Sequence, residues 1–297
     1  MYSAAMKLSE RTLAYLRLLR APAVFTALSN IIATHLLATQ GRIQWVALVL
    51  LAAAASALYL AGMVLNDCFD FAEDRRDRPQ RPLPAGVIPV MSAWKLGWAL
   101  LVIGVILAGM VGSRQGLIAL VLAGAIVLYD GVLKATPWGV PLMGGCRYLN
   151  WLLGLSVTPL TGQSLLLGLP VFVYVSSLTL LSRVETSARS RLSLLLCASG
   201  MVATAVLIVV FNWTGLLPHT WALLLVGAAL LAVLSKLLAT YRDFSPTSIQ
   251  ASVGMLVMGI IPLDALLVFA GGPWWGGIVI LALMVPGRLL GRWVYVT

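Results

Sequence analysis

Long, uninterrupted apolar segments recur along the whole chain and constrain its fold more than any other feature. A segment of about 20 apolar residues crosses the hydrocarbon layer as an α-helix, because in lipid every backbone group must be hydrogen-bonded within the segment. The apolar residues run continuously and do not alternate, which argues against a β-barrel. We therefore expect an all-α, polytopic transmembrane bundle of nine or ten helices. The runs lie at about 21–39, 44–66, 92–112, 116–134, 139–161, 165–183, 191–211, 219–240, 249–271 and 274–291, and the last of them decides between nine and ten.

Charged residues are scarce, and most of them lie between the apolar runs. Only 10% of the residues are charged and 61% are hydrophobic, whereas soluble domains carry about 25% charged residues. A net charge of +10 would suit a nucleic-acid partner in a soluble protein, but here the basic residues act as topology signals, and we expect no such partner. With the N-terminus in the cytoplasm, the external connections carry only Arg42 and Arg114. The sequence therefore predicts an integral protein of the inner or plasma membrane with a cytoplasmic N-terminus.

The end of the second apolar run carries a group of acidic residues. On a continuous α-helix, Asp67, Asp70 and Asp74 fall within a sector of about 60°. Like charges at this spacing repel one another, so a cation is needed to offset them. Oxygen ligands beside a basic loop suit Mg²⁺ shared with a phosphate-bearing ligand, and Asn66 adds a neutral oxygen at the same rim. The alternative is a solvated helix end whose acids are balanced by the arginines that follow.

These residues also resemble a known signature. The Asn-Asp-x-x-Asp-x-x-x-Asp pattern of residues 66–74, with the basic, proline-rich loop 78–86 after it, is similar to the first motif of the UbiA superfamily of intramembrane prenyltransferases. The resemblance implies that the aspartates bind Mg²⁺ that bridges to an isoprenyl diphosphate, and that Arg78 and Arg81 bind this substrate. It also implies a lipid-open cavity for the prenyl tail.

The helix layout extends the similarity over most of the chain. A UbiA-like region would cover about 15–272 of a single transmembrane domain, 1–297, with the run 274–291 as an extra C-terminal helix. Within the superfamily, the whole sequence most resembles the UbiA-like proteins of the Ebo gene cluster.

Tyr129 and Lys134 close the fourth run, where relatives similarly carry a tyrosine followed by a lysine. Lys134 would bind a diphosphate as a flexible point charge and so join the three aspartates among the catalytic residues, with Tyr129 binding substrate. The alternative is a lysine that only snorkels to the inner face and fixes topology.

Arg147 lies within the fifth run, in a stretch that resembles the family's glycine, arginine and asparagine cluster. An arginine within a spanning segment costs at least about 2.5 kcal/mol unless it faces a polar cavity or partner. Asn150 is three residues away and shares its helix face, so both would line the substrate cavity. A structural ion pair between Arg147 and Asp264, a residue without another assignment, remains open as the alternative.

A second acidic motif is expected from the resemblance after the sixth run, but it is incomplete. Glu185 stands for one acid and would bind metal, whereas Arg189 occupies the position of the next. The guanidinium of Arg189 would hold phosphate oxygens directly. A one-metal, arginine-assisted site, a binding protein that has lost turnover, and a basic anchor without a ligand role all remain open.

The leading hypothesis is a prenyltransferase that uses Mg²⁺ to move an isoprenyl group from an isoprenyl diphosphate to a small, unidentified acceptor. The reaction would take place at the cytoplasmic face of the bilayer, in contact with membrane lipid. A non-catalytic binding or export-associated membrane protein is the second hypothesis, because the second acidic motif is incomplete. A secondary transporter is the third, although transporters seldom concentrate acids in an inner loop.

Overall fold

A computed structural model describes residues 2–184 and 190–294 of the chain. Helices and turns make up these residues, and the described part contains no strand. A 3₁₀ turn, Ala21–Val24, precedes α2, and a π-helical turn, Tyr129–Leu133, follows α6. In chain order the α-helices are α1 (Tyr2–Leu18), α2 (Phe25–Thr39), α3 (Trp45–Phe69), α4 (Phe71–Asp77), α5 (Val90–Val111), α6 (Ser113–Leu128), α7 (Gly139–Leu155), α8 (Gly162–Leu167), α9 (Leu169–Ser182), α10 (Arg191–Trp213), α11 (Ala222–Asp243), α12 (Pro246–Met258), α13 (Ile260–Gly271), α14 (Trp274–Ala282) and α15 (Met284–Trp293).

Nine helical segments of the described chain are long and apolar enough to cross a membrane. The 17-residue helix α7 lies between the fourth and fifth of them and packs against α2, α6 and α9. The chain is therefore an all-α, polytopic integral membrane protein, as the sequence predicts. The nine segments are Ala21–Thr39, Trp45–Phe69, Val90–Val111, Ser113–Leu133, Gly162–Ser182, Arg191–Trp213, Ala222–Asp243, Pro246–Gly271 and Trp274–Arg292.

Two helix ends differ from the predicted runs. The second run, predicted to end at residue 66, continues as α3 to Phe69, so the start of the acidic motif is helical. The fifth run, predicted to reach residue 161, ends with α7 at Leu155. The Ser156 hydroxyl donates to the Leu153 carbonyl at 2.7 Å, and Pro159 lacks the N–H that a longer helix would need.

The ninth run is broken in the middle. It consists of α12 and α13, which meet at Gly259. The Tyr174 hydroxyl donates to the Leu256 carbonyl at 2.9 Å. A Cβ on Gly259 would lie 2.3 Å from that hydroxyl, so the residue must stay small. Pro262 removes a further backbone donor just after the break. The break therefore has two causes: Pro262 lacks a backbone N–H, and the Tyr174 hydroxyl takes the Leu256 carbonyl as its acceptor.

Close helix contacts hold the bundle together. Within lipid, such contacts depend on van der Waals packing at small residues rather than on exclusion of water. α3 and α5 illustrate this: a Cβ on Gly104 would lie 2.6 Å from Leu58 Cγ, and one on Gly97 would lie 2.7 Å from Leu65 Cδ2. Glycine at these positions lets α5 approach α3.

A smaller apolar cluster fixes the end of the bundle that carries the acidic motif. Leu18 of α1, Val64 of α3, and Leu83 and Ile88 of the basic loop are all buried and belong to one cluster. Gly86 turns the loop with a φ of +72°, a conformation that favours glycine. The N-terminal helix and the basic loop are thus packed beside the end of α3.

Candidate active site

The acidic motif occupies the junction of two helices. Asn66 and Asp67 lie in the last turn of α3, Asp70 follows its last residue with φ −80° and ψ 0°, and Asp74 lies in α4. The backbone N–H of Asp70 donates to the Asn66 carbonyl at 3.0 Å, and that of Asp74 donates to the Asp70 carbonyl at 2.8 Å. Backbone hydrogen bonds therefore continue through the junction. The spacing argument assumed one continuous helix, whereas the structure has two, α3 and α4.

Two of the aspartates are nearly enclosed and share an arginine. The side chains of Asp67 and Asp74 are 8% and 2% exposed. Arg81 Nη1 lies 2.6 Å from Asp74 Oδ2 and 3.6 Å from Asp67 Oδ1. Arg78 adds a longer contact of 3.7 Å to Asp74. Arg78 and Arg81 thus lie beside the carboxylates, and Arg81 links two of them.

Arg20 is a residue of the site that the sequence argument interpreted only as a topology signal. Its Nη2 donates to Asp67 Oδ1 at 3.1 Å, across 47 residues of chain. Burial, the largest single influence, lowers the pKa of Arg20, but Asp67, Tyr59 and Asp70 together outweigh burial, and the pKa lies above its usual value. Arg20 has a left-handed backbone, with φ 44°, immediately before the 3₁₀ turn that contains Pro22. A basic residue two positions before a proline at a helix start was the available signal.

The third aspartate is paired with a lysine that follows α6. Lys134 Nζ donates to Asp70 Oδ2. Lys134 directly follows the π-helical turn, and Tyr129, the first residue of that turn, is buried. Single π-helical turns occur often at functional sites. Lys134 and Tyr129 therefore lie at the same end of the bundle as the acidic motif.

Asp130 is a second residue that the sequence argument did not select. It is 9% exposed, and its Oδ1 accepts a hydrogen bond of 2.9 Å from Asn66 Nδ2. Asn66 therefore lies at the rim of the predicted metal site and also binds a side chain of the turn after α6. An acidic residue at the end of a long apolar run was the signal that could have identified Asp130.

The predicted convergence of three carboxylates is not seen in this geometry. Within residues 2–184 and 190–294, no group of three or more His, Cys, Asp or Glu side chains is placed to hold a metal ion. Basic side chains lie between the aspartates instead. The donors are still hard oxygens next to cationic groups, the set that suits Mg²⁺ with a phosphate ligand.

Arg147 lies inside the bundle and is held by three groups. Its Nη2 donates to Thr26 Oγ1 at 2.7 Å, and its Nη1 donates to Asn30 Oδ1 at 3.3 Å. The guanidinium also lies over the Tyr59 ring, 5.4 Å from its centroid. The alternative of an ion pair with Asp264 is wrong in this structure, because Arg147 reaches that residue only through Asn30.

Asn150 shares the helix face of Arg147, as predicted. Its Nδ2 donates to Asn30 Oδ1 at 3.2 Å and to the Ala27 carbonyl at 3.3 Å. Asn150 is 5% exposed. Both polar residues of α7 therefore contact α2.

Glu185 and Arg189 lie outside the described residues. Arg183 caps the end of α9, two residues before Glu185. Its Nη2 donates to the carbonyls of Lys134, at 2.8 Å, and Thr136, at 2.6 Å. The connection that contains the incomplete second motif thus begins beside Lys134.

An apolar groove of about 590 Å³ opens between α9, α10, α11, α12, α13 and α15. Met201, Val233, Met255 and Leu263 are among its lining residues, and Arg288 lies at its edge. The predicted site residues within the described chain do not line it. The groove is therefore not the cavity beside the aspartates that the resemblance implies.

The sequence model of the UbiA prenyltransferase family matches residues 27–252. Two similar curated proteins are digeranylgeranylglyceryl phosphate synthases. The one from Methanosarcina mazei is 33% identical over 134 residues, which is 43% of this chain and 42% of the relative. The one from Ignicoccus hospitalis is 35% identical over 136 residues, 46% of this chain and 43% of the relative. The matches thus span less than half the length of these relatives.

Solved structures share the fold. A structure of digeranylgeranylglyceryl phosphate synthase aligns with a TM-score of 0.65 at 20% identity, over 94% of this chain and 99% of that one. A UbiA homologue from Archaeoglobus fulgidus bound to GPP and Mg²⁺ aligns with a TM-score of 0.62 at 15% identity, over 82% and 99%. The family match covers most of the sequence and the fold agrees with it, so the chain belongs to the UbiA prenyltransferase family.

Proposed function

We propose that the protein uses Mg²⁺ to transfer an isoprenyl group from an isoprenyl diphosphate to a small acceptor at the membrane face that carries the acidic motif. One observation carries the proposal: aspartates, two of them buried, alternate with basic side chains at one end of the bundle. The contacts are Arg20 and Arg81 with Asp67, Arg81 with Asp74, and Lys134 with Asp70. This arrangement suits a ligand that is itself a metal-bound anion.

The carboxylates would hold the metal. Asp67, Asp70 and Asp74 supply oxygen ligands at the rim, and Glu185 would supply one from the connection after α9. When bound, Mg²⁺ would offset the negative charge of the diphosphate as it leaves. Asn66 keeps the rim in place through its hydrogen bond to Asp130.

The basic side chains would hold the phosphate oxygens. Departure of the diphosphate from an allylic carbon builds negative charge on the leaving group, which fixed donors stabilise without reorganisation. Arg81 and Arg78 offer planar forks for paired contacts to phosphate, and Lys134 offers a compact charge. Arg189 would act in the same way from the second motif.

Tyr129, Arg147 and Asn150 would contact the substrates deeper in the bundle. Arg147 supports this role because it combines partial burial with a fixed guanidinium. The name of the curated relatives favours a geranylgeranyl donor and a phosphate-bearing glyceryl lipid as the acceptor. The finer resemblance to the Ebo-cluster proteins rests on the sequence alone, and these relatives do not carry that name.

The acidic end of the bundle would face the cytoplasm, with the protein in the inner or plasma membrane. Arg20, Arg81, Lys134 and Arg183 all lie at this end, and basic residues accumulate on the cytoplasmic side. A membrane-impermeant thiol reagent tests this orientation: a cysteine introduced at exposed Gln80 should be protected in intact cells, and labelling there would contradict it.

A second candidate is a protein that binds an isoprenyl diphosphate without turnover. Arg189 at the position of the second acid favours it, because an arginine there weakens a second metal site. This candidate predicts Mg²⁺-dependent binding without release of diphosphate.

The test uses the purified full chain in lipid nanodiscs. With Mg²⁺, labelled isoprenyl diphosphates of several lengths and a glycerol phosphate lipid or a cell lipid extract, we expect a prenylated lipid and released diphosphate. The double variant Asp67→Ala with Asp70→Ala should lose both binding and turnover. The matched control is Glu73→Ala with Asp77→Ala, two exposed acids of α4. Binding without turnover favours the second candidate, and neither binding nor turnover contradicts both.

A further inference from the structure

A buried polar network lies away from the acidic motif and joins α2, α7 and α13. At its centre is Asp264, which is fully enclosed. Its carboxylate accepts hydrogen bonds from Ser29 Oγ at 2.5 Å and from Trp151 Nε1 at 3.0 Å. Asn30 Nδ2 donates to both carboxylate oxygens, at 2.9 and 2.7 Å. A carboxylate within a spanning segment is costly, so its presence calls for a role.

Asp264 and Asn150 together determine which atom of Asn30 faces Arg147, because Asn150 Nδ2 also donates to Asn30 Oδ1, at 3.2 Å. The amide of Asn30 carries its donors on Nδ2 and its acceptor on Oδ1. Because Nδ2 points to the carboxylate, Oδ1 points away from it and accepts from Arg147 Nη1 at 3.3 Å. The reverse orientation would place Oδ1 against the carboxylate and Nδ2 against the guanidinium, two repulsive contacts. The hydrogen bonds from Asp264 through Asn30 to Arg147 thus have a single favourable arrangement.

Arg147, at the far end of this hydrogen-bonded series, can still bind a ligand. A guanidinium has five N–H donors, and Arg147 uses two of them on described residues, Asn30 and Thr26. Unlike Asp264, it is only partly buried. Tyr59, whose ring it covers, lies eight residues before Asp67 in α3, about 12 Å along the helix axis. The free donors are therefore deeper in the bundle than the acidic rim.

We propose that Asp264 is a positioning residue: through Asn30 it holds Arg147 ready to bind an anionic, phosphate-type group of a substrate. The inference rests on the proposed function and adds to it a fixed anion contact below the rim. The group belongs either to the diphosphate of the donor or to the phosphate of a lipid acceptor, and the experiment separates these sources.

The experiment is a double-mutant cycle on binding, which needs no turnover. Asp264→Leu removes the acceptors of the network at similar size, and Arg147→Gln removes the guanidinium. The probes are a geranylgeranyl thiodiphosphate and a dialkylglycerol phosphate, whose dissociation constants are measured separately in nanodiscs. Each single variant should weaken one probe about tenfold, and the double variant should bind it no more weakly than Arg147→Gln alone. The affected probe identifies the source of the anion.

Ser29→Ala is the matched control. It removes one donor to the same carboxylate but keeps the contact with Asn30, so it should leave both affinities unchanged. If Asp264→Leu does not fold, Asn30→Ala breaks the same chain and should show the same dependence on Arg147. Equal losses with and without Arg147, or wild-type affinity in Asp264→Leu, overturn the inference alone. A wild-type chain that binds neither probe overturns the proposed function as well.

Discussion

The side-chain amide of Asn66 donates a 2.9 Å hydrogen bond to the carboxylate of Asp130, and this contact joins the end of α3 to the π-helical turn after α6. Both residues are at most 9% exposed. The two connections that carry Asp70, a proposed metal ligand, and Lys134, a proposed phosphate ligand, are therefore held in register by a buried polar pair.

Loss of this pair should destabilise the bundle. Asp130→Leu leaves the Asn66 amide buried without its acceptor, which costs about 1–3 kcal/mol. Asp130→Asn keeps an acceptor oxygen and should retain most of the stability. The measurement is the thermal unfolding midpoint of the two variants in the same detergent. Equal midpoints for Asp130→Leu and the wild type would show that the contact does not contribute.

Arg81 should contribute more to diphosphate binding than Arg78. Arg81→Gln removes a guanidinium held next to both Asp67 and Asp74 and is expected to weaken binding of an isoprenyl diphosphate about tenfold, within the range for hydrogen bonds to charged groups. Arg78→Gln is the matched control, because Arg78 is more exposed and makes a single contact of 3.7 Å. Titration calorimetry at fixed Mg²⁺ measures both. Equal losses would count against a special role for Arg81.

The spanning segments and the acidic motif could be predicted because each depends on residues close together in the chain. The runs at 21–39 and 191–211 reappear as Ala21–Thr39 and Arg191–Trp213. The spacing of the aspartates likewise predicted that they follow one another along a helix end, although not the break in the helix at Asp70.

The partners of those residues could not be predicted from one sequence. Arg20 contacts Asp67 across 47 residues and Asp264 contacts Asn30 across 234. Such pairs depend on which helices become neighbours, and helical periodicity within each segment does not specify that. For the same reason the sequence argument offered a direct ion pair between Arg147 and Asp264 as one alternative and missed the asparagine between them.

Gly154 should be required for the close approach of α7 to α2. A Cβ there would lie 1.9 Å from Thr34 Oγ1 and 3.2 Å from the backbone at Ile31. Gly154→Ala should therefore destabilise the protein by about 1–3 kcal/mol through overpacking. Gly145→Ala on the same helix is the control, because its Cβ would meet open space. Thermal unfolding in detergent compares them, and a smaller loss for Gly154→Ala than for Gly145→Ala would contradict the packing argument.

Lys134 should matter for the reaction and not only for topology. Lys134→Gln removes a fixed positive charge next to Asp70 and the expected position of the leaving diphosphate. Removal of one preorganised donor to a developing negative charge lowers kcat about 100-fold or more. Product release with saturating Mg²⁺ and isoprenyl diphosphate measures the change. Lys95→Gln, an exposed lysine of α5, is the control and should keep wild-type turnover.

The topology alternative for Lys134 makes a different prediction. If this lysine only anchors the inner face of the membrane, Lys134→Gln should change the orientation of the neighbouring helices, and Lys134→Arg should restore the protein fully because it restores the charge. If Lys134 binds phosphate as a compact ammonium, Lys134→Gln should insert normally and lose turnover. Lys134→Arg should then recover turnover only in part, because the larger guanidinium does not fit the same contact. Thiol labelling of intact cells reports orientation separately from turnover. If Lys134→Gln inverts part of the molecules but leaves turnover per correctly inserted molecule unchanged, the catalytic role is rejected.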